Sequence, residues 1–178
     1  GFKIFAPTDK LVDFRTEGNV SNYRLERQDS DAHAEIDFEM KNNRIKLGNH
    51  NYKNSVEMSL NKNPEWELNF DVGAASLDLD LTQYIISKID IDMGAAALNI
   101  KLGDLAGVTR FKIDAGASDI DILIPDSVGC EIKSDAALSS RNYEGFNKIS
   151  RDLYRTDNFN SSAKKIYNLL KQRLAQDI

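Results

Sequence analysis

Three segments of this 178-residue chain can be laid over one another, and that repetition restricts its fold more than any other property. Residues 68–81 read LNFDVGAASLDLDL, residues 89–102 IDIDMGAAALNIKL and residues 111–124 FKIDAGASDIDILI. Their glycines, Gly73, Gly94 and Gly116, recur at intervals of 21 and 22 residues. Apolar residues occupy every second position on both sides of each glycine: Leu68, Phe70 and Val72, for example, then Leu77, Leu79 and Leu81. Period two is the strand pattern, and no helical period fits these segments. The last inward residue before each corner and the first after it are five apart, so an unbroken strand would turn the second set to the opposite face. A bend must reset the pleat. Gly73, Gly94 and Gly116 are the expected structural corners, with a permissive backbone for the bend and small neighbours that let corners stack.

The pattern reaches beyond the three clear units. In residues 34–47 (AEIDFEMKNNRIKL), Met40 and Ile45 flank a four-residue polar corner, and residues 55–60 (SVEMSL) add an alternating strand. The stretch GCEIKSDAALSS reads as a fourth unit with Ala136 in the place of glycine, its apolar spacing slipped by one residue. The expected fold is mainly β, a β-solenoid-like stack with about 21 residues per repeat, in which each unit buries its apolar face against the next. An immunoglobulin-like sandwich also has short alternating strands, but has no reason to repeat one corner three times.

Three regions follow: a partly flexible lead-in over 1–31, the stacked repeat over 32–160, and a C-terminal amphipathic α-helix over 161–178. The helix is read from SAKKIYNLLKQRLAQDI, where Ile166, Leu169, Leu170, Leu174 and Ile178 fall on one helical face. Lys164, Lys165, Lys171 and Arg173 lie off that stripe, and Ser161 or Ser162 is placed to cap the first turn. The spacing predicts helix over 162–175, closing the end of the stack or docking on a second copy, a kinase or an anionic membrane surface.

Signs of chemistry are few. The net charge of −5 is concentrated in residues 67–126, which hold 4 basic and 11 acidic groups, and such a surface repels nucleic acid. The aspartates Asp71, Asp78, Asp80, Asp90, Asp92, Asp114, Asp119 and Asp121 alternate with the apolar set and read as a solvated outer face, with Lys101 and Lys112 among them to compensate. They lack the spacing of a calcium-binding repeat. His33, His50 and the single Cys130 cannot complete a four-ligand zinc site, and Cys130 reads as a small buried apolar residue between Val128 and Ile132. No nucleophile elbow, phosphate loop or dinucleotide fingerprint is present, so neither catalysis nor a cofactor or metal is expected.

With those residues in view, the sequence resembles the toastrack domain, which forms the C-terminal part of LiaF- and VraT-type proteins of the bacterial response to cell-wall-active antibiotics and occurs in related adhesin-like proteins. The resemblance covers roughly residues 32–166. It is carried by the Pro64–Trp66 entry, DVGAASLDLDL, the two further glycine repeats, and Leu138–Ser140 leading to Tyr143 and Phe146. It implies a stacked β fold, no active site, and an interaction or sensing role in envelope-stress signalling, with a membrane histidine kinase or self-association as the partner. It further implies a domain outside the cytoplasm, anchored by segments preceding residue 1. The alternative is a structural or adhesive surface module that contacts cell-wall polymer or other cells. Family members often close with another glycine-cornered β segment, whereas this chain ends NLLKQRLAQDI.

Overall fold

The computed structural model describes residues 1–4, 6–18, 21–42, 54–116, 119–136 and 144–172. Leu138–Ser140, Tyr143, Ile45, His50, Arg173 and Leu174 lie outside them. The described chain forms strands β1 (Phe2–Ile4), β2 (Val12–Glu17), β3 (Ser21–Ser30), β4 (His33–Asn42), β5 (Ser55–Leu60), β6 (Glu65–Val72) and β7 (Ser76–Asp80). It continues through β8 (Ile85–Met93), β9 (Ala97–Lys101), β10 (Val108–Ala115), β11 (Asp119–Leu123), β12 (Gly129–Ala136), β13 (Phe146–Lys148), β14 (Leu153–Thr156) and β15 (Lys165–Gln172).

The repeat builds two parallel ladders. β6, β8 and β10 lie side by side in one sheet with Val72, Met93 and Ala115 level, and β7, β9 and β11 in the other with Leu77, Leu98 and Ile120 level. Each rung passes from the first ladder to the second through its glycine corner. The Gly94 amide donates to the Val72 carbonyl at 3.0 Å and the Gly116 amide to the Met93 carbonyl at 2.9 Å. Alternation sends Ile89, Ile91, Phe111 and Ile113 inward from one sheet to meet Leu77, Leu79, Leu98 and Ile100 from the other, and all are buried in one continuous core. Burial on this scale, at about 25 cal/mol per Å² of apolar surface, is the main term holding the sheets together.

Around this frame both sheets take strands from elsewhere in the chain. One runs β11-β9-β7-β1-β5-β2 and the other β13-β14-β12-β15-β10-β8-β6. Residues 1–31 contribute three strands. β1 enters between β5 and β7 parallel to both, β2 pairs antiparallel with β5, and β3 pairs antiparallel with β4. The last pairing corrects the reading of 34–47 as an early rung: β4 belongs to a hairpin, because an antiparallel arm and a stacked rung share the same alternation. Phe38 secures the hairpin, stacking on Tyr23 and meeting Phe14 and Phe2 at ring distances of 5.2 and 6.3 Å.

The expected C-terminal helix is not formed: Lys165–Gln172 is a strand, and the described residues contain no helix at all. β15 lies between β10 and β12, parallel to both along all eight of its residues. Ile166 and Asn168 are buried and Leu170 is half-buried, while Tyr167 and Lys171 face solvent. Ile166, Leu169 and Leu170 fit a period of 3.6, whereas Ile166, Asn168 and Leu170 carry the period of two. Asn168 at an inward position hides the second period from a reader of apolar residues. Helix propensity is a weak preference, and two complete ladders outweigh it. Ser162 caps no helix; its hydroxyl donates to the Ser127 carbonyl at 3.0 Å in the turn before β15.

Of the fourth unit only the first strand, β12, lies among the described residues, and it is displaced. Ala136 is level with Gln172, which is level with Ala115, so β12 keeps the phase of β10 one strand further out. Ala136 thus occupies the place of Val72, Met93 and Ala115 rather than that of the corner glycines. This accounts for the one-residue slip in the sequence alignment.

Candidate interaction surfaces

Two broad outer faces and the slot around β15 are where this architecture offers recognition. On the first ladder's outer face Asp71, Asp92 and Asp114 stand level across β6, β8 and β10, and Asn69, Asp90 and Lys112 form the next row inward from the corner. Lys112 reaches Asp90 at 3.3 Å. On the second ladder Asp78, Asn99 and Asp121 make a row beside Asp80, Lys101 and Leu123, with Lys101 at 4.0 Å from Asp80. These ion pairs are solvent-exposed and contribute at most about 1 kcal/mol each. They relieve repulsion between like charges on neighbouring strands. A shallow depression of about 430 Å³ lies over Asp78, Asn99, Lys101 and Asp121 and is bordered by Leu123, whose side chain is 62% exposed. His33 is exposed at the start of β4. Among the described residues no group of three or more histidine, cysteine or carboxylate side chains is arranged to hold a metal.

The structure separates the residues grouped above on a C-terminal helix. Lys164 turns toward Asp104 at 3.8 Å, and the Lys165 ammonium donates to the Phe159 and Ser162 carbonyls and lies over the Phe159 ring at 5.1 Å. Ile166 and Leu170 point inward, Leu169 lies half-buried on the opposite side of the strand, and Lys171 is exposed. They form no single basic or apolar stripe. The corner glycines, by contrast, are brought together, Gly94 over Gly73 and Gly116 over Gly94. None of the three has a left-handed backbone, so conformational freedom is not what selects glycine there. Close stacking is: a Cβ on Gly94 would lie 2.5 Å from the Gly73 carbonyl oxygen.

Two inward residues near β15 went unnoticed in the sequence. Thr109 is buried on β10 and its hydroxyl donates to the Ile86 carbonyl at 2.7 Å. Asn168 is 4% exposed, level with Phe111 and Ile132, and neither its amide nitrogen nor its oxygen has a hydrogen-bond partner among the described residues. A polar residue interrupting an alternating apolar run was the available signal. An orphaned buried amide costs roughly 1–3 kcal/mol. Asn168→Val should therefore raise stability by about that amount, read as a higher urea midpoint with unchanged slope.

Cys130 is fully buried beside Ile166. Burial, assisted by the charge of Glu131, pushes its thiol up to about 12. The sign follows from linkage. The folded chain keeps the proton that an unfolded thiol releases above its ordinary value of about 8.5, so stability is complete below that pH and is lost above it. Wild-type protein should lose about 1.4 kcal/mol per pH unit more than Cys130→Ala between roughly pH 9 and 12. Denaturant titrations of both proteins across that range check it.

Comparison with known proteins places these features in a family. The fold matches a crystal structure from Clostridium sporogenes ATCC 15579 described as a "putative cell adhesion protein", with a TM-score of 0.90 and 17% identity over 97% of this chain and 84% of that one. That likeness establishes the fold alone. No curated protein sequence matches the chain. The family model Toast_rack_N, described as the N-terminal domain of toast_rack (DUF2154), matches residues 1–123, which takes in β1–β11 and all three glycine corners. The chain belongs to the toast_rack family.

Proposed function

We propose that this domain is a non-enzymatic protein-interaction module displayed outside the cytoplasm, and that it recognises a basic surface on its partner. The observation that carries the reading is the pair of level acidic rows, Asp71–Asp92–Asp114 on one sheet and Asp78–Asn99–Asp121 on the other. Parallel strands hold these side chains level and at a fixed spacing on open outer faces, which suits recognition of an extended protein or polymer more than enclosure of a small molecule. The structural likeness to a protein described as a cell adhesion protein supports display at the surface. The narrower proposal, that the partner is a membrane histidine kinase of an envelope-stress system, rests on the resemblance to LiaF- and VraT-type proteins alone.

Protease added to intact cells should degrade the domain, and protection until lysis would overturn the reading. Asp78→Lys with Asp121→Lys should weaken binding to intact cells by about tenfold and flatten its dependence on salt while leaving thermal stability nearly unchanged. Cross-linking on the same cells then separates a kinase partner from cell-wall polymer.

A further inference from the structure

β15 occupies an unusual position in the winding order. In sequence β12 is the rung after β10, and the two are already in phase, since Val108 and Gly129 are both level with Lys165 and Ala115 and Ala136 both with Gln172. The strand between them is supplied from far along the chain: each β15 residue pairs with residues 57 positions earlier on β10 and 36 earlier on β12. The connection that delivers it is short: β14 pairs with the far side of β12, and eight residues carry the chain past the end of β12 into the slot. The tether is the turn over residues 157–164, in which Phe159 packs across Gly129.

A second copy of the chain presents the same slot with the same partners. A β15 that leaves one molecule and enters another recovers both ladders and the burial of Ile166, and only the tether changes conformation. Asn168 eases departure. Its orphaned amide sits at the centre of the strand and regains water whenever the strand leaves, so the open state is penalised less than it would be with an apolar residue there. We propose that β15 is an exchangeable strand, and that reciprocal insertion into the slot between β10 and β12 joins two copies of this chain. The inference is independent of the surface reading above.

The chain's single cysteine makes this testable, because Cys130 is level with Ile166 on β15. Wild-type protein, with only Cys130, is mixed with the variant Ile166→Cys/Cys130→Ser, passed through partial denaturant at high concentration, returned to native buffer and oxidised. A covalent heterodimer, with its disulfide mapped to positions 130 and 166, is expected. Chains carrying Ile166→Cys alone report on geometry: an internal disulfide in them with no heterodimer in the mixture would overturn the proposal. Should the pair close in neither arrangement, two differently tagged wild-type preparations treated the same way decide instead. Mixed dimers are expected, their formation slowed at least tenfold by Asn168→Val, and monomers alone would overturn it.

Discussion

Gly94→Ala and Gly116→Ala should each destabilise the fold substantially, whereas Gly73→Ala, in the same motif, should be nearly silent. A Cβ at position 94 would lie 2.5 Å from the Gly73 carbonyl oxygen, and one at 116 would lie 2.8 Å from that of Gly94, while one at 73 meets nothing within 4 Å. The difference is positional, because β6 is the outermost strand of its sheet and, among the described residues, no rung lies beyond its corner. Both clashes are with backbone, and the Gly73 carbonyl also accepts the Ala95 amide at 3.1 Å, so relief requires the rungs to separate. Overpacking of this kind costs about 1–3 kcal/mol, and the shorter approach at Gly94 belongs at or above the upper end. For a chain of this size that is a fall in Tm of about 2–12 °C. At Gly73 the reduced freedom of the unfolded chain is expected to offset whatever small strain alanine introduces. Thermal melts of the three variants distinguish the explanations. Equal losses at all three would mean that the corner needs glycine for its backbone conformation, not for stacking.

Ile166→Asp should be among the most damaging single changes in the chain, and Tyr167→Asp among the mildest in β15. Ile166 is 1% exposed and level with Thr109, whose hydroxyl already donates to the Ile86 carbonyl, and with the weak donor Cys130, so a carboxylate there is buried with no cation level with it on either neighbouring strand. Losses above about 4 kcal/mol are typical of such substitutions, a large part of the roughly 5–15 kcal/mol available to a domain. Tyr167 is 40% exposed and contributes chiefly an edge contact with Phe159 at 5.9 Å between ring centres, so about 1 kcal/mol is expected from its loss. Equilibrium urea unfolding gives both values. Comparable losses at 166 and 167 would contradict the alternation of a strand.

The repeat was legible because each clear rung advertises itself twice, by alternation and by a corner spaced 21 or 22 residues from the next. Alternation fixes only that a segment is a strand, and the partner must come from elsewhere. β4 carries the same period as the rungs and pairs in an antiparallel hairpin instead. β15 went unread because its strand period is interrupted by Asn168 and its leucine doublet imitates a helix. The signal for its site was distributed: the 21-residue offset between Ala115 and Ala136 marks a fourth rung, but nothing local to either says that another strand stands between them. The corner glycines were legible as positions and misread as to cause, since the short carbonyl approach is a property of the stack and not of one corner. The acidic outer faces follow directly from alternation, whereas their row-by-row register depends on the ladders and could be read only from the structure.

The position of β15 also places a condition on synthesis. Chain elongation proceeds at about 5–20 residues per second, and the residues of β15 lie 36 positions after their partners on β12, so the strand follows about 2–7 s behind. For that interval β10 and β12 are both present, in matching phase, with nothing yet made to stand between them. A nascent chain that zipped them directly into a fourth rung would have to reopen it before β15 could enter.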